Sequence, residues 1–310
     1  MRTLRCTRDV IGIDINPSGW TDRVGSIVDR DFVREALRGV ATVLHTATLH
    51  KPHVATHTRQ QFVDVNVTGT LNLLEEAVAA GVRRFVFTST TSVYGLAMSP
   101  PAGAPAVWVD EDLVPIPKNI YGITKLTAEN LCALFQRKFG LACIVLRTSR
   151  FFPEPDDDAA TRAAYAPANV NANELLYRRL DIADAVSAHL CAAERAEAIG
   201  FGRYVISATT PFRRADVARL RTQAAQVVAE YVPQYVDAYA RRGWTMFADI
   251  ERVYDNARAR AELGWRPQHD FAAALESLQQ QDDFRSPLAR AIGSKAYHPG
   301  TFTDGPYPVE

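Results

Sequence analysis

The sequence predicts an α/β fold, a doubly wound parallel sheet with a smaller, mostly helical part appended, and three observations carry that prediction. Short apolar runs of strand length alternate with helix-period segments through the first half of the chain. The helical segments close on glycine, at Gly39, Gly81 and Gly140, the residue that most readily takes the left-handed conformation of a helix end. After Arg147 the alternation gives way to a polar stretch and then to helical patterns. Strands separated by helices require crossover connections, which are right-handed and lay helices on both faces of a parallel sheet.

Each element follows from its own pattern. Val10-Ile11-Gly12-Ile13-Asp14 is a short buried strand ending in an acid, and Asn16-Pro17-Ser18-Gly19 turns the chain. Residues 31–38 are helical, residues 41–45 form a second strand, and a long helix runs from about residue 61 to residue 80 with Val63, Val67, Leu71, Leu74 and Val78 on one face. Arg84 to Ser89 is the third strand, the Pro-rich stretch 99–117 a loop, residues 121–138 a helix and residues 141–147 the fourth strand. Residues 151–177 read as irregular, and the acidic run Asp156-Asp157-Asp158 suits either a loop over a site or a solvated surface. A helix over 184–194 and a strand at 204–206 return to the sheet, residues 209–280 are helical, and the Pro-rich residues 282–310 form an extended tail.

Composition narrows the function classes. The chain has 310 residues, 47% hydrophobic and 23% charged, with Lys+Arg and Asp+Glu both at 35. Such a balance leaves no basic excess for nucleic acid or anionic membranes, and no apolar run reaches membrane-span length. The four cysteines, Cys6, Cys132, Cys143 and Cys191, are far apart and lack zinc spacing. They are expected to be free thiols in a reducing, cytoplasmic setting.

Chemistry concentrates in Tyr121-Gly122-Ile123-Thr124-Lys125, where a phenol and an ammonium stand four residues apart on one face of a helix start. An ordinary tyrosine is a weak base at neutral pH, and lowering its pKa to near 7 takes roughly 4 kcal/mol of preference for the phenolate. A fixed cation nearby supplies such a preference. About thirty residues earlier, the strand ending Thr88-Ser89-Thr90-Thr91-Ser92-Val93-Tyr94-Gly95 presents a row of hydroxyls at the sheet edge where open parallel sheets bind ligands.

This constellation resembles the extended short-chain dehydrogenase/reductases, in particular the NAD-dependent epimerase/dehydratase group typified by UDP-glucose 4-epimerase. Asn66-Val67-Thr68-Gly69-Thr70 and Leu263-Gly264-Trp265-Arg266-Pro267 extend the likeness over about residues 10 to 280. The resemblance implies a Rossmann-type sheet, NAD as cofactor, a sugar-like or nucleotide-sugar substrate, and a homodimer formed through the helices near 61–80 and 121–138. It places the catalytic residues at Thr90, Tyr121, Lys125 and Asn66. Cofactor contacts fall on Thr46, Ala47, Thr48, Thr88 and Ser89 as well as on Tyr121 and Lys125, and substrate contacts on Thr91, Ser92 and Arg150. Asp14, at a strand end, suits the two hydroxyls of an adenosine ribose or, alternatively, a turn-capping role before Asn16-Pro17. His45, His50, His53 and His57 crowd together but lack the partners of a zinc motif. They are expected to flank the cofactor or lie on the surface.

The implied division is a cofactor domain over 1–150 joined by 178–208, a substrate-binding part over 151–177 and 209–281, and the tail from 282. Departures from the family accompany it. Only thirteen residues precede Asp14 and Gly12 is their single glycine, whereas a phosphate loop precedes the ribose acid by about twenty residues. The first strand, the glycine loop and the first helix are therefore expected to be missing. Either the start of the chain is assigned too far downstream, the favoured explanation, or the truncation is real and leaves a catalytically silent nucleotide-binding relative. Thr91 and Ser92 replace the Asp-Glu pair of the sugar-nucleotide dehydratases, which disfavours dehydration. Arg150 stands where the epimerase has a nucleotide-sugar-contacting Asn, so a phosphate or carboxylate contact replaces an amide one.

Overall fold

The computed structural model describes residues 1–294 and Phe302. The chain opens with turns over residues 1–9, in which the Arg5 and Arg8 N–H groups donate to the Met1 and Leu4 carbonyls. Strand β1 (Ile13–Asp14) pairs in parallel with β2 (Arg23–Val24). The predicted strand over 10–14 is thus shorter than its apolar run. Gly12 explains the early limit, since its N–H donates to the Asp22 carboxylate at 2.7 Å and is taken out of any ladder.

Helix α1 (Arg30–Ala36), capped by Asp29, leads to β3 (Thr42–His45). Helix α2 (Arg59–Phe62), a π-helical stretch (Val63–Thr68) and helix α3 (Gly69–Ala79) form the long helix anticipated from residue 61. Its widened turns hold Asn66, and such turns recur at functional sites. Strand β4 (Arg84–Thr90) follows, then β5 (Val107–Val109). Helix α4 (Ile120–Phe139) begins with the Asn119 side chain accepting the Gly122 N–H and ends at Gly140 with φ 70°, a cap at each end. Beyond it lie β6 (Ala142–Thr148), α5 (Ala159–Ala164), α6 (Pro167–Leu175), α7 (Ile182–Ile199) and β7 (Phe201–Ile206). Helices α8 (Val217–Leu220), α9 (Ala224–Tyr231) and α10 (Tyr235–Ala240) precede β8 (Arg252–Tyr254). Helices α11 (Ala257–Glu262), α12 (Phe271–Gln280) and α13 (Pro287–Ile292) complete the described chain.

The main sheet is parallel, in the order β3-β4-β6-β7. Alternate residues point to opposite faces. Phe85, Phe87, Cys143 and Val145 meet Leu73, Leu74, Ala128 and Cys132 on one side. Val86, Ile144 and Leu146 meet Ala185, Ala188, Ala192 and Trp265 on the other. Covering both faces explains why all of β6 is buried. A second core joins Leu175, Val227, Val228, Tyr239, Phe271 and Leu275. The β1–β2 pair forms a sheet of its own, with no ladder to β3 among the described residues.

Three expectations are corrected. The stretch 99–117 is not all loop, because β5 pairs in parallel with β8, a partner that no local pattern reveals. Residues 151–177 are not irregular: Asp158 of the acidic run caps α5 by accepting the Thr161 N–H, and Pro167 opens α6. The start of the tail is neither extended nor loose. It holds α13, docked by the Ser286 hydroxyl and N–H donating to Asp181, while residues 295–301 and 303–310 of the predicted tail lie outside the described residues. Among the described residues, no helix is long and apolar enough to cross a membrane.

Candidate active site

The register of the main sheet aligns Thr90 of β4 with Thr148 of β6, so the hydroxyl-rich end of β4 opens at the carboxyl edge. Thr90 is extended there, and its Oγ1 accepts the Ser92 N–H at 3.1 Å. Helix α4 packs across β4 and brings Tyr121 and Lys125 to the same place. The Tyr121 phenol is buried and hydrogen-bonds the Thr90 side chain. Lys125 is also buried. Its Nζ donates to the Thr88 carbonyl at 2.6 Å and lies 4.1 Å from the Phe87 ring centroid.

Burial governs the titration of both groups. It pushes the Tyr121 phenol up, against the Thr90 hydrogen bond that favours the phenolate. It pushes the Lys125 ammonium down to about 7, against the Glu129 carboxylate that favours the charge. Thr90 is the neighbour whose hydrogen bond draws the phenol towards ionisation.

Asn66 sits behind the pair. Its Nδ2 donates to the Leu49 carbonyl at 3.0 Å and to Thr124 Oγ1 at 3.1 Å, and its Oδ1 accepts from the Leu49 N–H at 2.8 Å and from Thr48 Oγ1 at 3.0 Å. Two donors and two acceptors exhaust an amide. In place of the expected direct catalytic role, Asn66 ties the segment after β3 to helix α4.

The remaining expected residues divide. Thr46 and Ala47 are exposed at the end of β3 and Thr48 is half-buried, so this segment has backbone and side chains to offer a cofactor. Thr88 Oγ1 is 2.7 Å from His189 Nε2, and its carbonyl serves Lys125. Ser89 departs from its expected cofactor role: its hydroxyl donates to the buried Glu129 at 2.6 Å, on the far side of the strand from Thr88 and Thr90. Thr91 is buried and Ser92 half-buried in the turn Thr91–Val93. Arg150 departs from its expected substrate role, because Asp156 at 2.9 Å and Asp157 at 2.5 Å hold its guanidinium. Asp14 is exposed, and its Oδ1 accepts the Asn16 N–H at 2.9 Å, the turn-capping geometry.

Two features escaped sequence reasoning. Glu129 is fully buried, and pairs with Arg147 at 2.7 Å and Arg203 at 3.2 Å; its spacing of four from Lys125 on a helix was an available signal. His50 packs its ring on Tyr121 with centroids 5.0 Å apart, a contact across the fold that has no local signature. His45 is buried with its Nε2 2.9 Å from Thr70 Oγ1, and burial holds it neutral with a pKa of about 3. Among the described residues no three metal-ligating side chains converge.

Residues 7–207 match the sequence profile of the NAD dependent epimerase/dehydratase family. The chain belongs to that family. Within the epimerase/dehydratase family it is 28% identical over 283 residues to the UDP-glucose 4-epimerase of Rhizobium meliloti, covering 82% of this chain and 81% of the relative. It is 38% identical over 125 residues to the UDP-glucose 4-epimerase of Rhizobium leguminosarum, covering 40% of this chain and 36% of the relative. The alignments with the first curated relatives span about a third of their length, 33% and 36%. Among solved structures, a short-chain dehydrogenase/reductase superfamily protein from Agrobacterium tumefaciens with bound NAD superposes with a TM-score of 0.63 at 26% identity, covering 94% of this chain and 92% of that one. The Rossmann-type fold is thereby established, and Thr90, Tyr121 and Lys125 occupy the carboxyl edge at which such sheets bind dinucleotides.

Proposed function

We propose that this chain is an NAD-dependent oxidoreductase or epimerase that acts on a hydroxyl of a sugar-like or nucleotide-sugar substrate. One observation carries the reading: the convergence of the Thr90 hydroxyl, the Tyr121 phenol and the Lys125 ammonium at one sheet edge. NAD fits part of this surface. Thr46, Ala47 and Thr48 line the end of β3, and Lys125 would hold the nicotinamide ribose. When bound, NAD supplies a hydride acceptor. The chain's own residues handle the proton: Tyr121 exchanges it with the substrate oxygen, Thr90 hydrogen-bonds that oxygen, and Lys125 favours the ionised phenol when it is itself charged.

The division of labour proposed is cofactor binding by residues 1–150 with 178–208, and substrate binding by 151–177 and 209–281. A homodimer through the helices near 61–80 and 121–138 is consistent with Val63, Ile123 and Phe139 standing 36%, 48% and 55% exposed there; sedimentation would give one protomer mass if this is wrong. For the reaction, Tyr121→Phe is expected to abolish turnover of UDP-glucose with NAD while leaving NAD binding intact. Unchanged turnover would sink the proposal.

A second reading, a catalytically silent nucleotide-binding relative, is favoured by Gly12. Its N–H is engaged by Asp22, and an added Cβ would stand 2.2 Å from the Trp20 carbonyl. This glycine therefore serves packing and offers no N–H to a pyrophosphate. Calorimetric titration with NAD separates the two readings when run beside the turnover assay, since the silent relative binds without turning over.

A further inference from the structure

We propose that the cavity between helices α6, α12 and α13 is a second ligand site, which takes a small organic monoanion: a carboxylate carried on an apolar body. The inference goes beyond the Tyr121 reading and does not depend on it. The cavity has a volume of about 340 Å³, at the small end of ligand pockets, which run from about 300 to 1,000 Å³. Thr48, Thr90, Tyr121 and Lys125 are absent from its lining, so it is separate from the catalytic edge. Phe151, Leu175, Leu180 and Phe284 give it apolar walls. Its charged lining is Arg179, Asp181, His269, Arg285 and Arg290.

Three of these charged groups are answered within the protein. The Asp181 carboxylate accepts the Ala183 N–H and both the N–H and the hydroxyl of Ser286. Arg285 pairs with Asp283 at 2.7 Å, and His269 with Asp184 at 3.3 Å. Two arginines are not so answered. Arg290 is exposed, and its Nη1 donates to the Asp283 and Arg285 carbonyls, with no carboxylate paired to it among the described residues. Arg179 is 4% exposed. Its Nε donates to Glu174 at 2.6 Å and its Nη1 to the Phe152 carbonyl at 2.8 Å, whereas Nη2 has no hydrogen-bond partner among the described residues. Arg150 and Arg178 draw on the same Glu174 carboxylate, at 3.5 and 2.6 Å, and both have Asp156 besides. Burial opposes all three charges; Glu174 and the aspartates still carry Arg150 and Arg178 above the ordinary arginine range, while Arg179 stays below it.

Buried charges are ordinarily paired, and a buried N–H without an acceptor is costly. A carboxylate beside Arg179 supplies the missing charge. Nη2 is enclosed in the free protein, so a small rotation of the guanidinium brings it to the ligand, while Arg290 meets the same group from the solvent side. The lining also fixes the class of ligand. Asp181 repels a dianion such as a phosphate monoester more than a monoanion, the planar guanidinium fork matches a carboxylate, and the apolar walls reward a ring or short chain that an inorganic ion lacks.

The test titrates the full chain calorimetrically with benzoate and, separately, with inorganic phosphate. Benzoate is expected to bind saturably at one site, and phosphate more weakly. Arg290→Gln, at an exposed position, is expected to weaken benzoate about tenfold, and Ser277→Phe, which fills the cavity from α12, to abolish its binding. Arg179→Gln is expected to match the loss in Arg290→Gln; should it fail to fold, as circular dichroism would show, the other two variants decide. Absence of saturable benzoate binding, or binding that survives in the folded variants, overturns the site. Phosphate bound as tightly as benzoate overturns the class of ligand. Saturating NAD and UDP-glucose are expected to leave benzoate affinity unchanged, and displacement by them would put the carboxylate at the catalytic edge and overturn the proposal. Tyr121→Phe is expected to bind benzoate normally whatever its turnover, so failure of the Tyr121 reading and failure of this site are told apart.

Discussion

At the scale of the residue, the site joins two groups that burial drives in opposite directions. Lys125 is held well below an ordinary lysine, at about 7, so the unfolded chain binds more protons than the native one between about pH 7 and 10.5. Its contribution to stability therefore rises with pH across that window and is unfavourable below it. Lys125→Met is expected to lose turnover yet raise unfolding free energy at pH 7, on the order of 1 kcal/mol, and to flatten the rise towards pH 10. Denaturant titrations at the two pH values check this. Glu129 behaves differently, because it is buried against Arg147 and Arg203. Removing one partner of a buried ion pair costs about 3–5 kcal/mol, so Glu129→Gln should lower the denaturant midpoint sharply. The Tyr121 and Lys125 positions were legible from spacing and strand context. The His50 contact was not, since no local period encodes it, and Glu129 was marked only by its spacing of four from Lys125, while its arginine partners come from other strands. Asn66 was found by its motif, but only the four hydrogen bonds around its amide reveal a positioning role.

At the scale of the element, helix α4 carries the chemistry and its boundaries were readable. Asn119 and Gly140 are local signals with a local cause. Asn119→Ala removes the bond to the Gly122 N–H and should cost about 1 kcal/mol, measurable by thermal unfolding; an unchanged midpoint would show that the cap contributes nothing. Strand β5 was missed because three residues acquire their identity only by pairing with β8. Helices α5 and α6 were missed because a polar, Asp-rich sequence reads as solvated, whereas here Asp156 and Asp157 are consumed by arginines. Gly12 is an element boundary set by close approach. Gly12→Ala should destabilise the β1–β2 unit, with the loss visible in the fluorescence of Trp20.

At the scale of the whole molecule, acid acts through buried groups on several elements. Glu174 is fully buried among Arg150, Arg178 and Arg179, and after the opposing effect of burial those arginines hold its carboxyl down at about 2. A depressed carboxylate stabilises the native state above its unfolded pKa, and that contribution fades as pH falls towards 2. His45, kept neutral down to about 3, adds a loss that begins as pH falls below about 6.5, because only the unfolded chain takes up its proton. Unfolding free energy is therefore expected to decline from about pH 6.5 downwards, by at most about 1.4 kcal/mol per pH unit from His45. His45→Gln should remove the upper part of that decline. The alternation of the first 150 residues made the doubly wound sheet legible. The separation of β1–β2 from the main sheet depends on which ladders close, which composition does not state.

The pairing of Lys51 with Asp157 at 2.5 Å reaches further than the local geometry. It fastens the loop that carries His50, beyond β3, to the loop beyond β6, so this ion pair helps to clasp the two rims of the same edge. Such a clasp makes access to the site a matter of ionic strength: added salt weakens a partly exposed pair and frees the rims to part. Ligand dissociation rates from stopped-flow measurements should then rise with salt in the natural chain and lose that dependence in Asp157→Asn. Catalysis here would be paced by the surrounding electrolyte as well as by the proton at Tyr121.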